Sequence, residues 1–193
     1  MVINKEFTLN RRISGNDKAY DKIKNFIIDN GSNGQEYKIT IGIYHNIGGV
    51  VSVMQKFIIM LEDAHLNHPN LRFKLVFVGF AMSAAAYLYC YFTFGPGLDL
   101  DRIEVEKKPI CIIYHKPRVN HVVQSKKITI FANNSETMSF LTPKDADNLK
   151  KETESFDELL ELTISVLALA DYPIAMHLIN SYHNNGDMAF TFG

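Results

Sequence analysis

The chain has 193 residues, enough for one domain with a full hydrophobic core, and carries 20 basic and 21 acidic side chains for a net charge of −1. With the two signs balanced and no Lys/Arg run longer than a pair, it lacks the electrostatic footprint that nucleic acid or an anionic membrane would require. Its two cysteines, Cys90 and Cys111, sit in apolar sequence without metal-type spacing, and no segment reaches the roughly 18 uncharged apolar residues of a membrane span. Met1 to Glu6 has no apolar stretch of signal-peptide length, so a soluble, cytoplasmic protein with reduced thiols is expected.

Phe7 to Leu9 reads as a short strand, and the polar turn Ser14-Gly15-Asn16-Asp17 can cap a helix over Tyr20 to Ile28 that Asn30 to Gly34 stops. Lys38 to Tyr44 alternates with period two and predicts a strand, which Gly48-Gly49 ends. The clearest helix follows, with Val50, Val53, Met54, Phe57, Ile58 and Leu61 on one face and Gln55, Lys56, Glu62 and Asp63 opposite.

Arg72 to Val78 is a short apolar strand, Gly79-Phe80-Ala81-Met82-Ser83 is the turn that ends it, and Ala84-Ala85-Ala86-Tyr87-Leu88 has high helix propensity. This lifts Ser83 from the end of a buried strand onto the start of a helix, where unpaired N–H groups and the positive dipole end favour developing negative charge. Strand, helix and strand repeat, so right-handed β-α-β units and an α/β fold are expected.

Pro109 to Tyr114 predicts a further buried strand ending at His115. Lys126 to Phe131 is strand-like, Lys144 to Ala170 helical, Asp171-Tyr172-Pro173 a breaker, and Ala175 to Tyr182 a short final helix before a Gly-containing tail. His65 and His68 lie in Asn- and Pro-rich sequence without a third ligand and read as surface histidines. His115 and His121 are too isolated for a metal site.

The two β-α turns lie at the carboxyl ends of adjacent parallel strands, where open α/β sheets bind ligands. A glycine pair admits a substrate carbonyl close to the backbone, so the N–H groups of Gly49 and Ala84 are candidate oxyanion donors. His115 ends a third strand at the same edge and is the best candidate general base for Ser83. Each motif taken singly has a plain structural explanation: small residues for close helix packing, a turn, a satisfied core histidine. Their order and joint position are what point to a site.

Tyr44-His45-Asn46-Ile47-Gly48-Gly49-Val50, Gly79-Phe80-Ala81-Met82-Ser83 and Tyr114-His115-Lys116-Pro117 resemble, in order and spacing, the three core motifs of the Clp protease proteolytic subunit (ClpP) and its phage-encoded relatives. The likeness covers roughly residues 7 to 118. It implies a ClpP/crotonase-type fold of stacked β-α-β units in one domain over 1–193, with a core over 1–118 and a divergent handle and helical C-terminal region over 119–193. It also implies peptide hydrolysis by a Ser-His-Asp triad without a cofactor, a homo-oligomeric ring, a polypeptide substrate and an unfoldase partner. By position Ser83 matches the nucleophile, His115 the base, and Gly49 with Ala84 the oxyanion hole. The third member falls near Phe156, which makes Asp157 the candidate and Glu154 and Asp171 its substitutes.

The chain departs from that family at several points. Ile47 replaces the proline of Pro-Gly-Gly, and His45 an asparagine. The interval from Ser83 to His115 is several residues longer, with Phe94 to Gly97 opening the insertion, and Lys126 to Phe131 is strand-like where a long handle helix belongs. Two further readings therefore stand beside the peptidase: a catalytically inactive ClpP-like subunit kept for assembly, and a crotonase-type acyl-CoA enzyme that applies the same paired N–H groups to a thioester carbonyl.

Overall fold

A computed structural model describes the whole chain except Asn10, Lys107, Gln124 and Gly193. It divides into two compact units, Met1–Tyr114 with Ala189–Gly193, and His115–Met188.

The first unit is α/β. Its strands are β1 (Ile3–Leu9), β2 (Tyr37–Asn46), β3 (Leu71–Met82), β4 (Ile103–Val105) and β5 (Ile110–His115, whose last residue opens the second unit), and the sheet is completed by β8 (Asp187–Phe192). The six strands run in the order β1-β2-β3-β5-β8, with β4 joined to β3. All pairings from β1 through β5 are parallel; β3 pairs β4 along its first half, from Phe73↔Ile103, and β5 along its second, from Gly79↔Ile110 to Met82↔Ile113. Parallel central strands are covered on both faces, which is why β2 and β3 read as dense Ile, Leu, Val and Phe and why Ile39, Ile41, Ile43, Leu71 and Leu75 are fully buried.

The crossovers are α1 (Lys18–Asn30) and α2 (Val51–Asn67). Asp17 caps α1 by accepting from the Ala19 N–H at 2.9 Å. Helix α2 buries Met54, Phe57, Ile58, Leu61 and Ala64; of the predicted face, Val53 is half-buried and Val50, the residue before the first turn, is exposed. After β3 comes α3 (Ala84–Thr93), buried on all sides from Ala84 to Cys90, and then the 3₁₀ turn Pro96–Asp99. The predicted insertion thus holds that turn and the short strand β4.

In the second unit β6 (Val119–Val123) and β7 (Lys126–Ile130) form an antiparallel hairpin. Ile130, Met138 and Leu149 make a small core that joins it to α4 (Ser135–Met138) and to α5 (Pro143–Leu169). At 27 residues, α5 is about 40 Å long. Thr142 caps it, its Oγ1 accepting from the Asp145 N–H at 3.2 Å, and Pro143 occupies the first turn, where its missing N–H costs nothing. Helix α6 (Met176–Asn185) ends at Gly186 in the left-handed conformation.

The region after His115 holds both expected helices, α5 and α6, together with α4 and two strands that the sequence reading did not give. β6 escaped the sequence reading because Asn120 and His121 interrupt its apolar pattern, and β8 because the tail was read from its glycine rather than from the alternation Met188-Ala189-Phe190. The aromatic end of β8 has partners within the first unit: the Phe192 ring lies 5.3 Å from Phe94 and 5.9 Å from Tyr89. His65 and His68 are half-buried rather than superficial. Among the described residues no helix is long and apolar enough to cross a membrane.

Leu75→Ala, at a fully buried position of β3, is expected to cost about 2–5 kcal/mol. Ile59→Ala, on the exposed side of α2, should change stability by less than about 0.5 kcal/mol. Denaturant midpoints check both, and equal losses would contradict the placement of the core.

Candidate functional site

Ser83 stands between the last residue of β3 and the first of α3 with φ 57° and ψ −125°. A non-glycine residue avoids this region at a cost of about 1–3 kcal/mol, and such strain collects where a side chain must be aimed. Three local features hold it. The Ser83 N–H donates to the Ile113 carbonyl of β5 at 3.0 Å, the Ser83 carbonyl accepts from the Tyr87 N–H at 2.9 Å, and Ala81, Ala84, Ala85 and Ala86 are fully buried around the turn. A sharp strand-to-helix turn of this kind is how nucleophilic serines are presented on α/β sheets. Ser83 itself remains half-buried.

The glycine loop after β2 lies directly on the elbow. Gly48 has φ 77°, and a Cβ on it would stand 2.3 Å from the Met82 carbonyl oxygen, 2.5 Å from the Ser83 Cβ and 2.9 Å from the Ala84 nitrogen. Glycine is required by sterics on two counts, the positive φ and the backbone contact. The buried Asn46 side chain accepts from the Gly48 N–H at 2.8 Å, and Ile13 brackets the loop, donating to the Gly48 carbonyl at 2.8 Å and accepting from the Val50 N–H at 3.0 Å. Those two bonds leave the Gly49 N–H outside the bridge. The Ala84 N–H is one of the unpaired donors at the start of α3. The first unit therefore brings together Ser83, Ala84 and the Gly48-Gly49 loop.

The register of β2 on β3 shifts between Tyr44 and Asn46, and His45 takes φ 45° in the bulge. Its ring packs on Phe80, centroids 5.5 Å apart, and a Cβ on Gly79 would lie 2.2 Å from the His45 Cε1. The departure at His45 is thus matched by the glycine at 79.

His115 is the first residue of the second unit and is buried. Burial, and next the charge of Arg118, hold its imidazole below the usual range, against smaller opposing effects of the Lys116 carbonyl and of Asp187. Its Nδ1 faces the Lys116 carbonyl oxygen at 3.4 Å. Asp157 is engaged elsewhere in this unit: it accepts from the Tyr182 hydroxyl at 2.6 Å and stands 3.6 Å from the Lys116 ammonium. Burial and the Asp157 bond push the Tyr182 phenol far above its ordinary value. Glu154 is exposed on α5, and Asp171 is exposed beyond it with φ 57°. Among the described residues no hydrogen bond joins His115 to Asp157, Glu154 or Asp171; the acidic group whose charge reaches it is Asp187, itself 3.5 Å from Arg118.

Sequence reasoning missed Asn46 and Lys116. Asn46 could have been found as a polar residue at the end of a buried strand. Lys116 had only its place beside His115. Among the described residues no three metal-ligating side chains converge.

Ser83→Gly should relieve the backbone strain and raise stability by about 1 kcal/mol, while Ser83→Ala stays within about 0.5 kcal/mol of wild type. Gly48→Ala should cost about 2 kcal/mol or more. Unfolding in denaturant checks all three, and a Ser83→Gly protein less stable than wild type would contradict the strained elbow.

No family model matches the chain, and no curated protein matches it. Among the solved structures that resemble it are a peptidase from Plasmodium falciparum, with TM-score 0.44 and 12% identity over 100% of this chain and 86% of that one, and a protein described as an enzyme, with TM-score 0.41 and 13% identity over 98% and 86%. At scores and identities this low, neither likeness decides the fold or the activity.

Proposed function

We propose that this chain is a ClpP-like serine endopeptidase in which Ser83 is the nucleophile, His115 the general base, and the N–H groups of Gly49 and Ala84 the oxyanion hole. The observation that carries the reading is the positive-φ elbow at Ser83 with the glycine loop pressed against it. In this reading His115 Nε2 takes the Ser83 proton as Oγ attacks the peptide carbonyl, and the two N–H groups receive the developing oxyanion. The C–N bond then breaks, the amine leaves with the proton from His115, and water hydrolyses the acyl-enzyme by the same base. Assembly into a ring and delivery of unfolded polypeptide by an unfoldase belong to this reading.

A second reading, a ClpP-like subunit kept for assembly, is favoured by one observation: Asp157 is bound to Tyr182 and Lys116 rather than to His115. Without a correctly placed carboxylate, kcat can fall by about 10⁴. A slow enzyme and an inert one are separated by reactivity, not by turnover.

Incubation with a fluorophosphonate and intact-mass analysis tests the reading. An adduct on wild type that Ser83→Ala and His115→Ala both abolish is expected. No adduct from folded protein would sink the peptidase and leave the assembly subunit. Because burial and Arg118 lower the His115 pKa, the neutral base persists in more acid solution. The labelling rate should therefore stay flat through the ordinary imidazole value of about 6.5 and fall only below it. A rate still climbing with pH above that value would contradict the assignment of His115 as the base.

A further inference from the structure

Lys116 is one of the few charged residues the protein buries, at 8% exposure. In the second unit each of its polar groups has a partner. The ammonium stands 3.6 Å from Asp157 Oδ2 on α5 and 5.0 Å from the centre of the Tyr182 ring on α6. The main-chain N–H donates at 2.8 Å to the carbonyl of Gly186, the left-handed cap of α6. The main-chain carbonyl faces His115 Nδ1 at 3.4 Å. Tyr182, fully buried, donates to the other oxygen of Asp157, so both carboxylate oxygens are held.

Taking the Lys116 ammonium out of water costs several kcal/mol, which a partner as exposed as Asp157, at 33%, seldom returns with a surplus, so stability alone is a poor reason for the pair. Its geometric effect is specific. A carbonyl only accepts hydrogen bonds, so its contact with the ring is satisfied when Nδ1 carries the proton, and Nε2 is then left with a lone pair. At 3.4 Å the contact is long and weak. Ring orientation then depends on how firmly the carbonyl is fixed, and a peptide anchored through its own N–H and its side chain cannot swing.

We propose that Lys116, clamped by Asp157, Tyr182 and the Gly186 carbonyl, is the positioning residue for His115, its main-chain carbonyl holding Nδ1–H so that Nε2 is the free base. The carbonyl stands in for the carboxylate of a triad, and Asp157 acts through Lys116 rather than on the imidazole. This deepens the proposed function and rests on His115 being the base there.

The test is the nitrogen NMR spectrum of ¹⁵N-histidine-labelled protein, with His115 assigned by comparison with His115→Gln, alongside fluorophosphonate labelling rates. Wild type should show the neutral ring in its Nδ1–H form. Lys116→Met and Asp157→Asn should let the ring relax toward the Nε2–H form that an unconstrained imidazole favours, and slow labelling about 10–100-fold, while Lys116→Arg retains both properties. Asp157→Asn keeps the volume and the Tyr182 bond, so it serves if Lys116→Met does not fold. A wild-type ring in the Nε2–H form, or an Nδ1–H form unmoved by both substitutions, overturns the proposal. If wild type is not labelled at all, the peptidase reading fails, and the spectra still decide the positioning.

Discussion

Much of the first unit follows from one constraint, a serine held with φ 57° at the junction of a parallel strand and a helix. Nothing in Ser83 itself favours that conformation. It persists because the Ile113 carbonyl of β5 takes its N–H, because α3 is buried on all sides and cannot slide away, and because Gly48 leaves room for the Met82 carbonyl where any side chain would collide. Local strain of about 1–3 kcal/mol is sustained by a sheet and helix whose burial outweighs it several-fold. The dependence runs back to sequence: the small residues Ala81, Ser83, Ala84, Ala85 and Ala86 are what let the helix start so close to the sheet.

The same logic explains what could be read from the chain alone. The elbow, the glycine loop and α2 were legible because each is a short-range pattern: Gly-Gly after an alternating run, small residues after an apolar run, and apolar side chains at helical spacing. The parallel order of β1, β2 and β3 followed from the alternation of strand and helix. The strands β4, β6 and β8 were not legible. Each is six residues or fewer; β4 and the end of β8 are fixed by neighbours distant in sequence, β3 and the Tyr89 ring of α3, and β6 by pairing with β7 across a tight hairpin.

The third member of a triad was illegible for a different reason. Acidic residues are mostly exposed, so sequence offers several equal candidates on one helix and its flank. Geometry separates them: Asp157 is taken by Tyr182 and Lys116, Glu154 and Asp171 lie exposed, and Asp187 faces Arg118 while its charge reaches His115. In the proposed function the imidazole would thus be a buried base held by a carbonyl rather than a carboxylate. A carboxylate partner would raise its basicity and stabilise the imidazolium; a carbonyl orients it without doing so to the same degree. Such a base would remain neutral over a wide pH range and give a slower acyl transfer than a full triad.

If Ser83 is the activated nucleophile proposed, pre-steady-state hydrolysis of an activated p-nitrophenyl ester reads it directly. A burst of nitrophenolate approaching one equivalent per chain, with the acyl group recovered on the peptide containing Ser83, is the predicted result. Turnover without a burst, unchanged in Ser83→Ala, or acylation recovered on another residue, would contradict it.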